Sequence, residues 1–303
     1  MSDCLVTKLK GVVDDDSLRM MGDMPIRFSK NVGYSSLSQI DIGYQNEFDV
    51  KVIGAGNLVT SAGDVIGKTN HYAAWETHQI FVDSDVEEIV VSGGYGLTGI
   101  GYAADIRSST AVVNLKDIKY QKNAAVLNVN SIGSAKIEGD ISDTPSGITN
   151  FLVFNCRELK GTLKDLSQTG NKFTSIRMVS CGGVSGDLAD LANLNSLSFL
   201  QVATCGKITG DLSKLPNSLK TLNLYGHSTI SWEGTRPPSA YIMSILDAHL
   251  GTYLDAALIN LAQCTNWEGT GKSMLLYGKR TSASDAAIAS LQSMGWTVNV
   301  TEE

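Results

Sequence analysis

The three-point apolar motif L-x-x-L-x-L occurs seven times between Val86 and Leu224, and this repetition constrains the fold more than any other feature of the chain. The instances are Val86, Ile89, Val91; Thr110, Val113, Leu115; Ala124, Leu127, Val129; Ile148, Phe151, Val153; Phe173, Ile176, Met178; Leu197, Leu200, Val202; and Leu219, Leu222, Leu224. Twenty of these 21 positions are apolar, where the 43% hydrophobic composition alone gives about 9. Steps between starts are 24, 14, 24, 25, 24 and 22 residues, so only the second is out of time. No single motif of this size buries its own apolar side. Stacking successive copies as short parallel strands buries it against the next copy.

A second periodicity is independent of the first. Cys156, Cys181, Cys205 and His227 come three residues after the last apolar position of four successive repeats. Five residues beyond each cysteine stands a glycine, in Leu159-Lys-Gly161-Thr-Leu163, Val184-Ser-Gly186-Asp-Leu188 and Ile208-Thr-Gly210-Asp-Leu212; Ile137-Glu-Gly139-Asp-Ile141 precedes them in the same form. These glycines supply the backbone freedom for a turn, and the aspartates can bond neighbouring amides. Together the patterns resemble the leucine-rich repeat family, L-x-x-L-x-L-x-x-(N/C)-x-L, and the L-x-G-x-(I/L) continuation resembles its plant-type branch with a second short strand. The sequence departs from that branch in lacking proline after the second strand. The implied fold is an α/β solenoid, a leucine-rich-repeat-like stack of parallel strands, with a small N-terminal β module and a C-terminal helix-strand cap.

The chain divides into three regions: residues 1–83 as the β module, 84–235 as the solenoid and 236–303 as the cap. In the first, Asp23 to Phe28, Gln39 to Tyr44 and Phe48 to Ile53 alternate apolar and polar residues, with Gly54 to Asn57 as a turn. They predict a small antiparallel sheet. After Pro237-Pro238 the apolar residues from Tyr241 to Leu261 fit a helical period, predicting a helix over about 239–263. A strand at Met274 to Tyr277, a helix opened by a Ser282–Asp285 capping box and stopped by Gly295, and a strand at Trp296 to Val300 complete the cap. A strand–helix–strand crossover of this kind extends a parallel sheet and covers its last apolar edge.

Composition narrows the function. Charged residues make up 18% and the balance is 24 − 31 = −7, with pI ≈ 5.1. Such a chain lacks the basic footprint that displaces counterions from phosphates, so no nucleic-acid partner is expected. The apolar stretch Ala240 to Ala262 is broken by Asp247, His249 and Asp255, so membrane insertion is not expected either. Five cysteines without a C-x-x-C pair argue against disulfides and structural zinc, and no secretory leader is read at Met1 to Lys10; both fit synthesis in a reducing cytosol.

The residues between the motif's apolar positions face outward. Among the 21 such positions Glu88 is the only carboxylate, whereas hydrolysis on a parallel stack calls for paired acids. Asp140, Asp187 and Asp211 fall at the turns, where amide bonding accounts for them. His71 and His78 flank Trp75 without a third ligand, and no nucleophile elbow or P-loop occurs. We therefore expect a non-enzyme without cofactor or metal. The outward rows carry Leu152, Phe154, Val179, Phe199, Ala203 and Tyr225, an apolar patch of the kind that takes a partner or is covered within the chain by the C-terminal helix or the N-terminal module. With Arg177 and Gln201 interleaved, the candidate binding residues are Leu152, Phe154, Arg177, Val179, Phe199, Gln201 and Tyr225.

The segments Cys4 to Val13, Asp14 to Leu18, Arg280 to Ala287 and Gly295 to Val298 are similar to segments of virion proteins of crAss-like tailed gut phages and related prophages, which place a short N-terminal module before a leucine-rich solenoid. The resemblance implies a fibre or decoration protein on the virion surface, made in the host cytoplasm. It would be a homo-oligomer joined to other virion proteins through the N-terminal module, adhering through protein or host or gut glycan contacts. The alternative is a bacterial leucine-rich-repeat adhesin or scaffold.

Overall fold

The computed structural model describes residues 26–30, 39–44, 48–73, 77–83, 85–92, 97–101, 111–119, 126–130, 136–170, 172–226, 229–236, 244–264 and 272–302. These residues form parallel-strand sheets with few helices, an α/β stack, divided into two compact units at Leu159/Lys160. Cys4, Trp75, His227 and the chain opening from Met1 to Leu18 lie outside the described residues.

The first unit contains β1 (Ile26–Lys30), β2 (Gln39–Tyr44), β3 (Phe48–Gly54), β4 (Leu58–Val59), β5 (Val65–Gly67), β6 (Thr69–Tyr72), β7 (Thr77–Val82), β8 (Val86–Ser92), β9 (Leu97–Gly101), β10 (Ala111–Asn114), β11 (Val126–Asn130), β12 (Lys136–Asp140) and β13 (Asn150–Phe154). The short helix α1 (Leu115–Ile118) comes directly after β10. One sheet runs β6-β3-β8-β1-β10-β12 and the other β5-β4-β7-β2-β9-β11-β13. Both change from antiparallel to parallel pairing at an early strand. β1 is antiparallel to both β8 and β10, β2 to both β7 and β9, and beyond them β10–β12 and β9–β11–β13 pair in parallel. The predicted N-terminal strands thus exist, but not as one small antiparallel sheet: β1 and β3 flank β8 in one sheet, and β2 pairs with β7 and β9 in the other. The alternation in β3 is that of a one-faced strand: Phe48, Val50 and Val52 are buried while Asp49, Lys51 and Ile53 are exposed. The turn after β3 is held by Lys68, whose ammonium donates to the carbonyls of Gly54, Ala55 and Gly56.

Two of the seven motif instances are placed differently from expectation. Val86, Ile89 and Val91 lie on β8, antiparallel to β1 and β3 rather than in a parallel row. The spacing from i+3 to i+5 is plain strand alternation, so a one-faced antiparallel strand satisfies it as well. Of the instance Thr110, Val113 and Leu115, Thr110 lies outside the described residues, Val113 is on β10, in register with β12 and not with β11, and Leu115 opens α1. The first-row counterpart of β10 is β9, where Ile100 faces Leu127. The short 14-residue step therefore arises from taking a second strand for a first.

In the second unit the rhythm is regular. A first row holds β15 (Ser175–Val179), β17 (Phe199–Ala203), β19 (Thr221–Asn223) and β21 (Ser244–Gly251); a second row holds β14 (Leu159–Thr162), β16 (Val184–Asp187), β18 (Ile208–Asp211) and β20 (Thr229–Ser231). All neighbours within a row are parallel. Ser175 faces Phe199, Phe199 faces Thr221 and Thr221 faces Ser244. Phe173, Ile176 and Met178, then Leu197, Leu200 and Val202, then Leu219, Leu222 and Leu224 are fully buried, as are Leu163 and Leu188 beyond the second strands. Helix α2 (Leu163–Gln168) and short 3-10 turns at Leu188–Leu191 and Leu212–Lys214 return the chain.

Polar punctuation sets this register. β14, β16 and β18 each end in a residue that caps the next turn: Asp187 Oδ1 accepts from Ala189 N at 2.8 Å and Asp211 Oδ1 from Ser213 N at 2.9 Å, while Thr162 and Asp165 form a capping box on α2. The first unit repeats the device, with Asn114 capping α1 and Asp140 accepting from Ser142 N. The glycines have two duties here. Gly210 takes φ +124°, and a Cβ there would lie 2.3 Å from Asp187 Oδ1 and 2.7 Å from Leu188 N. The glycine of one step therefore rests on the cap of the step before. Cys156, Cys181 and Cys205 are each preceded by a left-handed non-glycine residue, Asn155, Ser180 and Thr204 respectively. Ser180 and Thr204 are fixed there by amides donating to Ala203 O and Tyr225 O, each at 2.9 Å. The thiols of Cys156, Cys181 and Cys205 donate weakly to the carbonyls two residues back. Cys205 is pushed well above the ordinary thiol range by the Cys181 sulfur beside it and by burial.

The end of the chain corrects one expectation. Residues 244–251 form β21, not the first half of a helix; α3 spans only Leu254–Gln263. Ile245, Ala248 and Leu250 are buried in β21 between β19 and β22 (Ser273–Gly278), and Gly251 ends the strand at φ +51°. Helix α4 (Asp285–Ser293) packs on α3, and β23 (Thr297–Thr301) lies parallel to β22. The helix start is also different. Thr281, not Ser282, supplies the cap, accepting from Ala283 N into a 3-10 turn ahead of α4. Gly295, at φ +86°, stands just past α4 as expected. Arg236 joins the last steps: its guanidinium donates to Leu215 O and Pro216 O at 2.9 Å, and its backbone exchanges bonds with Asn260 of α3. Only 2% exposed, it is lowered to about 10 by burial.

Candidate functional site

Parallel pairing in register brings the outward residues of the first row into lines. In the second unit Arg177, Gln201, Asn223 and Leu246 succeed one another across β15, β17, β19 and β21, and Ser175, Phe199 and Thr221 form the adjacent line. Because strands are about 4.8 Å apart, side chains on such a line are in contact range. Arg177 Nε donates to Gln201 Oε1 at 3.0 Å, and its guanidinium carbon lies 5.1 Å from the centroid of the Phe199 ring. The arginine is thus oriented by an amide below and an aromatic face beside it, a combination that lowers the entropy lost when it meets a partner.

Of the remaining sequence-derived residues, Val179 is half-buried and faces Ala203. Ala203 itself is only 4% exposed, so it does not belong to the surface. Tyr225 stands out at 57% exposure, its amide donating to Asn223 Oδ1 at 3.3 Å. Leu152 and Phe154 lie on β13 of the first unit, half-buried, facing Asn128 and Asn130. The outward surface of the second unit is therefore mixed, an amphipathic arginine–aromatic–amide cluster with one protruding tyrosine, rather than the continuous apolar patch expected from sequence. No carboxylate occupies these lines on β15, β17 or β19, so they hold no acid–base pair. Glu88 lies on β8, in the antiparallel part of the first unit.

The histidines are engaged elsewhere. His71 Nδ1 is 2.8 Å from Asp49 Oδ1; His78 bonds Ala73 O at 2.9 Å and packs against Phe48 and Tyr72. His249, expected on a helix, is on β21 and stacks on Tyr277 with ring centroids 4.4 Å apart. Among the described residues no group of three or more His, Cys, Asp or Glu side chains is placed to hold a metal ion, and no helix is long and apolar enough to cross a membrane.

Sequence reasoning missed a cleft of about 520 Å³ in the second unit, at the ends of β18, β20 and β21. Asp211, Glu233 and Tyr253 line it. The regular spacing of Asp187 and Asp211 was visible, but nothing in the sequence ties Glu233 or Tyr253 to them. No family model, curated protein or solved structure matches the chain.

Proposed function

We propose that the chain is a leucine-rich-repeat-like solenoid that acts by binding rather than by catalysis, as a fibre or decoration protein of a tailed-phage virion. The stepwise parallel rows with L-x-x-L-x-L side chains inside and Gly-cap contacts between steps support the solenoid reading. The virion setting is what the sequence resemblance of the two chain ends implies, and it is proposed on that ground alone. The observation that carries the binding reading is the Arg177–Phe199–Gln201 cluster, with the exposed Tyr225 just past the end of β19 in the same row: arginine and aromatic residues on a rigid sheet are the usual anchors of protein contacts. The partner proposed for this face is a second copy of the chain, and repetition on a particle converts modest single contacts into firm attachment.

Light scattering at micromolar concentration tests the face. The wild type is expected at an integer multiple of 32.3 kDa and the Phe199→Ala/Tyr225→Ala variant at a lower multiple, with its melting curve unchanged. Equal masses for the two proteins overturn the interface. Mass spectrometry of purified phage particles tests the setting: peptides of this chain in constant ratio to the major capsid protein support it, and their absence from particles contradicts it.

A further inference from the structure

The cleft in the second unit is unrelated to the outward face, and its chemistry is specific. Thr209 and Ser231, on β18 and β20, contribute to its lining, with Asp187, Asp211 and Glu233 also along it and Tyr253 from the turn after β21. Its volume of about 520 Å³ lies within the range of roughly 300–1,000 Å³ common for small-molecule sites. Three carboxylates line it against one ammonium, that of Lys214. The local field therefore repels anions.

The carboxylates are held in place. Asp211 Oδ1 accepts from Ser213 N at 2.9 Å and from Glu233 N at 3.1 Å, which fixes Glu233 beside it. Asp211 is only 6% exposed and its buried Oδ2 makes no bond of regular hydrogen-bonding geometry; the Ser213 hydroxyl beside it accepts from Gly234 N at 3.0 Å and keeps its own O–H directed to the carboxylate's surroundings. The Tyr253 hydroxyl meets Glu233 Oε1 at 3.5 Å, long enough to be exchanged for a better donor. The tyrosine is 38% exposed, so part of its side chain is open to contact. Fixed acceptors, hydroxyls and a partly exposed aromatic ring match a ligand with several O–H or N–H donors around a C–H face.

We propose that this cleft binds a saccharide unit bearing hydroxyl or ammonium groups and no acidic group. The inference goes beyond the self-association proposed above and stands without it. Its test is calorimetric titration of the full chain with four probes: tetramers of N-acetylglucosamine, of glucosamine and of mannose, and trigalacturonate. At least one of the first three is expected to bind saturably and at least ten-fold more tightly than trigalacturonate. Glu233→Gln and Tyr253→Ala should each weaken that binding at least ten-fold with the melting curve unchanged, while Phe199→Ala leaves it intact. Spermidine serves as the charge-only control and should bind at least ten-fold more weakly than the preferred sugar. Failure of all three sugars to bind, equal binding of spermidine, preference for trigalacturonate, or indifference to both cleft substitutions would each overturn the proposal.

Discussion

Val86, Ile89 and Val91 in the first unit and Phe173, Ile176 and Met178 in the second have the same spacing, yet one set sits on an antiparallel strand and the other on a parallel one. The residues C-terminal to each triplet make the difference. After Met178 come a left-handed Ser180, the buried Cys181 and then Gly186-Asp187, which rest on the step before and cap the step itself. After Val91 the glycine recurs at Gly99, but Gly94 stands where the cysteine would be and Ile100 where the capping aspartate would be, and Gly99 and Ile100 lie on β9 between β2 and β11. Apolar spacing therefore makes a buried strand in both units, and what sets the parallel stack apart is the cysteine and the capping residue that follow the triplet together with the glycine.

The most disruptive test removes the shared apolar term. Leu200 is fully buried, and Leu200→Ala should lower stability by about 2–5 kcal/mol in urea unfolding. Next comes the feature that separates the two regions. Gly210→Ala introduces a Cβ into the Asp187 cap at a positive φ and should cost about 2–3 kcal/mol, whereas Gly63, at φ +92° with nothing within 4 Å of its Cβ site, should lose only about 1 kcal/mol from backbone strain. A similar loss for the two glycines would mean that step-to-step contact adds nothing.

A smaller effect is expected from the cap alone, with Asp187→Ala costing about 1 kcal/mol. The smallest is the acid limb. Burial pushes the Asp211 carboxyl up, but the Ser213 hydroxyl, the amides of Glu233 and Ser213 and the Lys214 charge outweigh it and hold the group below the ordinary carboxylate range. Asp255 behaves in the same way: burial pushes its carboxyl up, but the hydroxyls of Ser284 and Thr281, the Thr281 amide and the Arg280 charge together outweigh it and hold the group low. A depressed folded pKa gives stability that is complete above about pH 4 and lost as pH falls through the folded value. Asp211→Asn and Asp255→Asn should each flatten the decline in melting temperature below pH 4; an unchanged acid limb would show that neither carboxylate is favoured by folding.

The legible part of the fold is the part with two independent periodicities. From Ile148 to Leu224 the apolar triplets and the Cys–Gly echo agree, and the buried positions coincide with them. Where only one signal exists, neighbours decide. Ile245, Leu246, Ala248 and Leu250 fit a helical stripe as well as a strand, and pairing with β19 and β22 settles them as a strand. Arg236, in Gly-Thr-Arg-Pro-Pro, has the sequence of a surface loop, yet it is buried because three carbonyls at the end of the preceding turn accept its guanidinium. Backbone acceptors leave no mark in sequence. The candidate site divides in the same way: Arg177, Phe199 and Gln201 were readable as outward residues, while Glu233 and Tyr253 are 20 residues apart and meet only through the fold.

The contact between successive steps is tested most directly by a double-mutant cycle on Gly210 and Asp187. If the glycine is required because the Asp187 carboxylate occupies the space of its Cβ, Gly210→Ala should be less damaging once Asp187 is alanine. The double variant is then expected to be more stable than the sum of the single losses by about 1 kcal/mol or more. Losses that add within about 0.3 kcal/mol would contradict the claim that caps and glycines of neighbouring steps lock the stack in register.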